Sequence, residues 1–430
     1  MRKRTARKVR TQAGLLGPVV TPVVGQLMLP MLVGMEATKE GLLGFMHQVG
    51  MEALTGLLGA QAKQIAGPKG KHNPGRRANH WGSCPAELTL GGRRVQVRRP
   101  RVRAVNGGEV ELPAFQQLAE VDPLPERVLE QILLGVSTRG YAHSLEPLPK
   151  SMRSRGTSKS SASRHLVERT EAKAREYLSR RLDELELTGL FIDGLEVAEH
   201  TVVAALGVVA DGTKVPLGLW LGSTENAVVC TALLNDLIER GLRVEGRILV
   251  TIDGGKGIRK ALTKVLGDRA VVQRCQVHKS RNVLGHLPKC RHAYVRRQLR
   301  DAYRSNRAST ARKRLRQLAS WLERNGEPDA AASLREGLEE TLTVLKLDLP
   351  RTLQRTFATT NPIENLNGSI RRTTRNVKRW RGGTMVRRWV AISIANAARK
   401  FRRIKGYRDM PKLIAALARY TNVDCKENAA

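Results

Sequence analysis

The 430-residue chain carries 75 Lys and Arg against 39 Asp and Glu, a net charge of +36, and is 41% hydrophobic. That apolar content excludes the short, weakly cored basic polypeptides of the histone and ribosomal kind, and leaves a folded protein of two or three domains. The basic excess points to a polyanionic partner, and five scattered cysteines (Cys84, Cys230, Cys275, Cys290, Cys425) suit a reducing compartment better than a disulfide framework.

Residues 2–10 hold six Arg or Lys, and residues 13–35 then hold no charge. A basic stretch before an apolar one has the form of an export signal or anchor, but Pro18, Pro22 and Pro30 make a poor spanning helix. The expectation is a basic arm and apolar helical segments, with no membrane partner. Residues 59–83, rich in Gly, Pro and basic side chains, read as a linker. Short strand-like runs follow (AELTL, RRVQVRRPRVR, EVELPAF), turning at Gly91-Gly92 and Gly107-Gly108. Leu129, Ile132, Leu133 and Val136 mark a helix over about 125–136. The segment Gly156–His165 opens another, running to about 187, compatible with a helix-turn-helix or with an ordinary Ser cap.

From 188 to 275 three strands in meander are followed by helix, strand, helix and strand, with Ala210-Asp211-Gly212-Thr213 as a hairpin turn. That order predicts a mixed sheet covered by helices and suits a ribonuclease H-like core. Residues 291–346 are helical, with Leu315, Leu318 and Leu322, then Leu334, Leu338, Leu342 and Leu345, at helical spacing, and 351–408 is helical and intensely basic.

Two apolar strands end alike, Phe191-Ile192-Asp193-Gly194 and Thr251-Ile252-Asp253-Gly254. If they lie adjacent and parallel, the two aspartates face each other and require a cation between them; taken singly, each reads first as a strand-end Asp stabilising an Asp-Gly turn, and it is the duplication that brings the metal reading level. Between Arg351 and Arg408 stand sixteen Lys or Arg and one acid, Glu364. Its position fits a metal ligand beside a polyphosphate, and Asn361-Pro362-Ile363-Glu364 fits a capping box. Glu336, Glu339 and Glu340 look solvated on a mixed-charge helix. Cys275 and His278, with His286, Cys290 and His292 nearby, match no common zinc spacing, and a structural or DNA-facing role for them is preferred.

Four blocks in order carry a resemblance: Phe191-Ile-Asp-Gly; Thr251-Ile-Asp-Gly-Gly-Lys-Gly-Ile; Gln273-Arg-Cys-Gln-Val-His-Lys-Ser-Arg-Asn282; and Thr359-Thr-Asn-Pro-Ile-Glu-Asn-Leu-Asn367. Over roughly residues 75–410 the chain resembles the mutator-type transposases of bacterial insertion sequences, a branch of the Asp-Asp-Glu transposases. The resemblance implies catalytic, metal-binding carboxylates at Asp193, Asp253 and Glu364. It also implies a Cys-x-x-His element at Cys275 and His278 and an all-helical insertion before the Glu helix. The activity expected is DNA strand cleavage and transfer with two Mg²⁺ ions (Mn²⁺ in their place) and no small-molecule cofactor. The partners expected are double-stranded DNA and further copies of the chain, in a cytoplasmic, nucleoid-associated protein. Arg281 and Asn282 are read as DNA-facing near the site, and Arg371, Arg372, Arg375, Lys378, Arg379, Arg387 and Arg388 as lining the DNA path, with Trp380 and Trp389 as core. A DNA-binding regulator without activity and a nuclease on the same fold remain open.

The domain organisation expected is therefore an arm, apolar segment and linker (1–83), a β-rich and helical DNA-binding region (84–187), and the first part of an α/β catalytic core (188–290). An all-helical insertion (291–350), the basic C-terminal helices of the core (351–410) and a tail (411–430) complete it.

Overall fold

A computed structural model describes residues 39–71, 74–120, 122–148, 152–222 and 226–420. The basic arm and the apolar segment 13–35 lie outside the described residues. Among those described, no helix is long and apolar enough to cross a membrane. The chain divides into two compact units, Met1–Arg127 with Thr138–Ala162, and Val128–Ser137 with Ser163–Ala430.

The first unit contains α1 (Lys39–Ala66), the long hairpin β1 (Ala78–Leu90) and β2 (Arg93–Ala104), β3 (Glu109–Val110), α2 (Pro113–Glu120) and β4 (Ser154–Arg155). The expected turn is present: Leu90 pairs with Arg93, and Gly91 and Gly92 both have positive φ, the requirement of a two-residue loop whose twist matches its strands. A side chain at Gly92 would also strike the Tyr141 hydroxyl, which donates to the Gly92 carbonyl. Leu58, Ala62 and Ala66 of α1 pack on Ala78, Val102 and Leu112. The linker expected over 59–83 is corrected accordingly, since apolar positions at helical spacing carry α1 to Ala66 and β1 begins at Ala78. EVELPAF is likewise strand only at Glu109–Val110, and Pro113 starts a helix instead.

Helix α3 (Leu124–Leu133) ends well before α4 (Lys159–Ser179), with β4 between them, so they lack the tight turn of a helix-turn-helix. The alternative reading of the serines holds: Ser158 Oγ accepts from the Ser161 amide at the start of α4.

The second unit is built on a five-stranded sheet in the order β7-β6-β5-β8-β9. Strands β5 (Leu187–Val197), β6 (His200–Val209) and β7 (Lys214–Gly222) are antiparallel; β8 (Ile248–Ile252) and β9 (Ala270–Arg274) join parallel to β5, through α5 (Ala227–Glu239) and α6 (Lys256–Val265). Side chains alternate between two cores. Leu190 and Ile192 of β5 and Val203 and Ala205 of β6 face α5 and α6. Phe191, Leu195, Val202, Ala204 and Leu206 face α12 (Arg351–Phe357), α13 (Asn361–Thr374), α14 (Gly383–Ala398) and α15 (Met410–Arg419). Residues 411–419 are thus no tail, because Leu413 and Leu417 belong to this core.

Between β9 and α12 lie α7 (Gln276–Gly285), α8 (Lys289–Tyr303), α9 (Ala308–Arg324), α10 (Pro328–Arg335) and α11 (Thr343–Lys346). They enclose a third core, which contains all seven expected leucines together with Val283 and Leu284 of α7. The boundary expected at 290 therefore falls inside a helix.

Phe357 stacks on Phe191, ring centroids 5.4 Å apart, and a Cβ at Gly189 would lie 2.6 Å from the Phe357 ring. Gly189→Ala should therefore lower the stability of the sheet by about 1–3 kcal/mol in urea unfolding, with partial recovery in Gly189→Ala/Phe357→Leu. Wild-type stability in the single variant would refute this packing.

Candidate active site

The parallel pairing of β5 with β8 runs Gly189 to Leu249, Leu190 to Val250 and Phe191 to Thr251. Continued two residues, that register sets Asp193 beside Asp253. Both fall on the face occupied by α12 and α13, as their odd-numbered strand neighbours Phe191 and Leu249 do. The Thr251 hydroxyl donates to the Phe357 carbonyl at 2.8 Å, tying β8 to the end of α12.

Asp193 is not at a strand end, as its Asp-Gly sequence suggested. It pairs with Ala204 inside β5, which continues to Val197 because β6 accompanies it throughout. Only 9% exposed, its Oδ2 accepts from Asn367 Nδ2 of α13 at 2.8 Å. Burial first, then the nearby Asp253 charge, push its carboxyl up to about 7; His278 opposes the rise and Glu364 adds to it. Asp253 follows β8 and does form the expected turn, its Oδ1 accepting the Gly255 amide at 2.8 Å.

Glu364 comes from the first turn of α13, and the expected capping box is absent. The helix begins at Asn361, one residue earlier than that reading required, and the N-cap Thr360 makes no side-chain cap bond. The Thr360 amide instead donates to Cys275 Sγ at 3.4 Å. Its hydroxyl donates to Glu364 Oε1 at 2.9 Å and lies 3.3 Å from His278 Nδ1 and 3.4 Å from Cys275 Sγ. His278 Nε2 stands 3.6 Å from Glu364 Oε1. Cys275 is the N-cap of α7, accepting from the His278 amide. Burial would raise its thiol, but hydrogen bonds from His278 and Thr360 outweigh that and hold it below its ordinary value. The Cys275 sulfur, opposed by burial and followed by Asp193 and Asp253, raises the His278 imidazolium.

Asp193, Asp253, Glu364, Cys275 and His278 are thus gathered into one place. Thr360 and Asn367 belong with them although the sequence reading gave them no role. Asn367 was detectable from its spacing, three residues beyond Glu364 on the same helix face. The other acids of the region are engaged elsewhere rather than merely solvated. Glu336 lies at 3.6 Å from both Arg274 and Lys279, and Glu340 at 2.7 Å from Arg259 and 3.1 Å from Arg274. Burial would raise Glu339, but bonds from Arg312 and Lys346 bring it down to about 2.

Arg281 and Asn282 are exposed on α7. Arg371, Arg372 and Arg375 are exposed along and after α13, Lys378 and Arg379 in the following loop, and Arg387 on α14. Arg388 does not belong with them: it is 12% exposed and paired with Glu171 at 3.0 Å. Trp389 is buried, and Trp380 packs, partly buried, against the core that holds Val386 and Val390.

Among the described residues no three His, Cys, Asp or Glu side chains are already set to hold a metal ion. The donor set is nonetheless hard and anionic. The raised Asp193 carboxyl registers burial and then repulsion from Asp253, both of which a divalent cation would offset, and among the described residues Asn367 Oδ1 is buried there without a partner. The residues present fit such an ion.

Residues 32–403 match the model of the family "Transposase, Mutator family". The chain is 31% identical over 207 residues to the transposase for insertion sequence element ISRM3 of Rhizobium meliloti, covering 48% of this chain and 50% of that protein. It therefore spans about half the length of that relative. It is 27% identical over 365 residues to the transposase for IS905 of Lactococcus lactis, covering 80% of this chain and 86% of that one. Against the transposase for IS256 in transposon Tn4001 of Staphylococcus aureus the identity is 28%, over 65% and 70% of the two chains.

The Asp193 carboxyl binds its proton more tightly in the folded chain than at its ordinary value of 3.8, so its ionisation destabilises the metal-free protein as pH rises from about 4 to about 7. Asp193→Asn should raise metal-free stability at pH 8, on the order of 1–3 kcal/mol, and leave it unchanged near pH 4. A thermal melt series showing no gain at pH 8 would mean that neither burial nor the neighbouring carboxylates penalise the Asp193 charge.

Proposed function

The chain belongs to the Mutator family of transposases, and from that premise we propose that it cuts DNA at the ends of a mobile element and joins those ends to target DNA through Asp193, Asp253 and Glu364. The observation that carries this reading is the approach of the three carboxylates, from β5, the end of β8 and α13, to one half-buried place beside His278. The sheet order, with three antiparallel strands followed by two parallel ones, supports a ribonuclease H-like core. The net charge of +36 supports double-stranded DNA as the partner.

Asp193, Asp253 and Glu364 would hold Mg²⁺ or Mn²⁺, two ions in this reading, whose chemistry when bound is to activate the attacking oxygen and stabilise the departing one. The chain's own groups set the geometry. Asn367 fixes the carboxylate of Asp193, and Thr360 fixes that of Glu364. Cys275 holds the first turn of α7 so that His278 faces Glu364. Water displaces the 3′ oxygen at the element end, and the freed 3′-hydroxyl then attacks a target phosphodiester, breaking one P–O bond for each one formed. No Ser or Tyr nucleophile enters the scheme. Bringing two element ends together calls for two or more copies.

The test is strand transfer with purified protein, Mg²⁺ or Mn²⁺ and labelled DNA carrying the terminal sequences of the flanking element. Joined products should depend on the metal and vanish in Asp193→Ala, Asp253→Ala and Glu364→Gln, while DNA binding persists. Cleavage without joining would identify a nuclease, binding with neither reaction a regulator, and full joining by any of the three variants would overturn the carboxylate assignment.

A further inference from the structure

Six arginines converge on a groove that the proposed reaction has not used. Helices α7, α8 and α12 enclose a volume of about 920 Å³ lined by Arg281, Arg296, Arg300, Arg304, Arg351 and Arg355, with no acid among its lining residues. The arrangement follows from helix phase. Arg296, Arg300 and Arg304 recur every four residues along α8 and its C-terminus, and Arg351 and Arg355 do the same on α12, so each set stacks along one helix face. Val277, Leu284, Val344 and Leu345 give the groove an apolar floor.

Most of these guanidinium groups have no countercharge. Among the described residues Arg281, Arg296, Arg304 and Arg355 have no carboxylate partner, Arg300 reaches only Asp301 at 3.7 Å, and Arg351 bonds to the Asn306 side chain. Arg259, Arg274, Arg312 and Arg335 nearby are all paired with glutamates. Like charges facing one another across a concave surface raise its potential and favour a polyanion in the space between them.

The groove also borders the cluster that positions Glu364. Gln276 and Thr359 line it, and the Gln276 amide donates to the Ala358 carbonyl at 2.9 Å, joining two of its walls. The next residues, Cys275 and Thr360, belong to the cluster that orients Glu364.

Resting on the transposase reading above, we propose that this groove, between the helical insertion and α12, seats the phosphate backbone of the DNA strand that runs into the carboxylate site. Arg281 takes part, whereas the exposed arginines of α13 and α14 lie outside the groove.

The experiment measures binding of the full-length protein to duplex DNA by fluorescence anisotropy across a salt series. In Arg296→Ser/Arg300→Ser/Arg304→Ser the slope of log affinity against log salt should fall by about 3, roughly one for each lost phosphate contact. The triple Lys variant at the same positions should retain the slope. A control of equal charge loss on the insertion outside the groove, Arg297→Ser/Lys313→Ser/Arg324→Ser, should lose less than about 1. Thermal melting establishes that each variant folds. If the groove variant loses no more slope than the control, the groove is refuted while wild-type strand transfer still upholds the transposase reading. If the wild type joins no DNA, that reading fails by its own assay, whatever the slopes.

Discussion

The central parallel pairing of β5 with β8 is the constraint on which the site depends. Because strand side chains alternate, a register matching Phe191 with Thr251 carries Asp193 and Asp253 to the same edge and face. A slip of one residue would turn one carboxylate into the core beneath α5 and α6, where Leu190, Ile192 and Val250 pack. The register is held from above as well. Phe357 stacks on Phe191 and its carbonyl accepts from Thr251, so one residue of α12 grips both strands. The helix that follows α12 then delivers Glu364 and Asn367 over the pair.

A second set of contacts fixes the rim of the site to the insertion. Arg274, 8% exposed, donates to the Gly254 carbonyl in the turn after Asp253 and pairs with Glu340. Lys279, 3% exposed, donates at 2.7 Å to the carbonyls of Ser333 and Glu336. Buried cations held this way would be costly to strand, since removing one partner leaves an uncompensated charge. The insertion is thereby coupled to the Asp253 turn through ionic contacts rather than through apolar packing alone.

Local pattern made much of this legible. The strands from 187 to 274 show themselves as apolar runs broken by turn residues, and the leucines of the insertion repeat at helical spacing. Misreadings arose where a distant partner decides the outcome. Asp193-Gly194 looks like a strand end because the sequence does not show that β6 continues beside it to Val197. Thr360 looks unremarkable, and Glu364 looks like a cap, until Cys275, 85 residues earlier, takes the Thr360 amide. Arg388 reads as one more DNA contact because Glu171, its partner, lies 217 residues away. The linker reading of 59–83 failed for a nearer reason: Gly and Pro dominate only its middle, and that composition hid the end of a helix and the start of a strand.

The bond between Asn367 and Asp193 joins positions 174 residues apart, with the whole insertion between them. Such separation makes the centre one of the last parts of the chain to assemble, because closing so large a loop carries an entropy cost that only the completed core offsets. A ribosome that has made the five strands and most of the insertion has made Asp193 and Asp253 but neither Glu364 nor Asn367. Premature termination, frameshifting or proteolysis anywhere before α13 therefore yields fragments that keep basic surface but lack the complete carboxylate set.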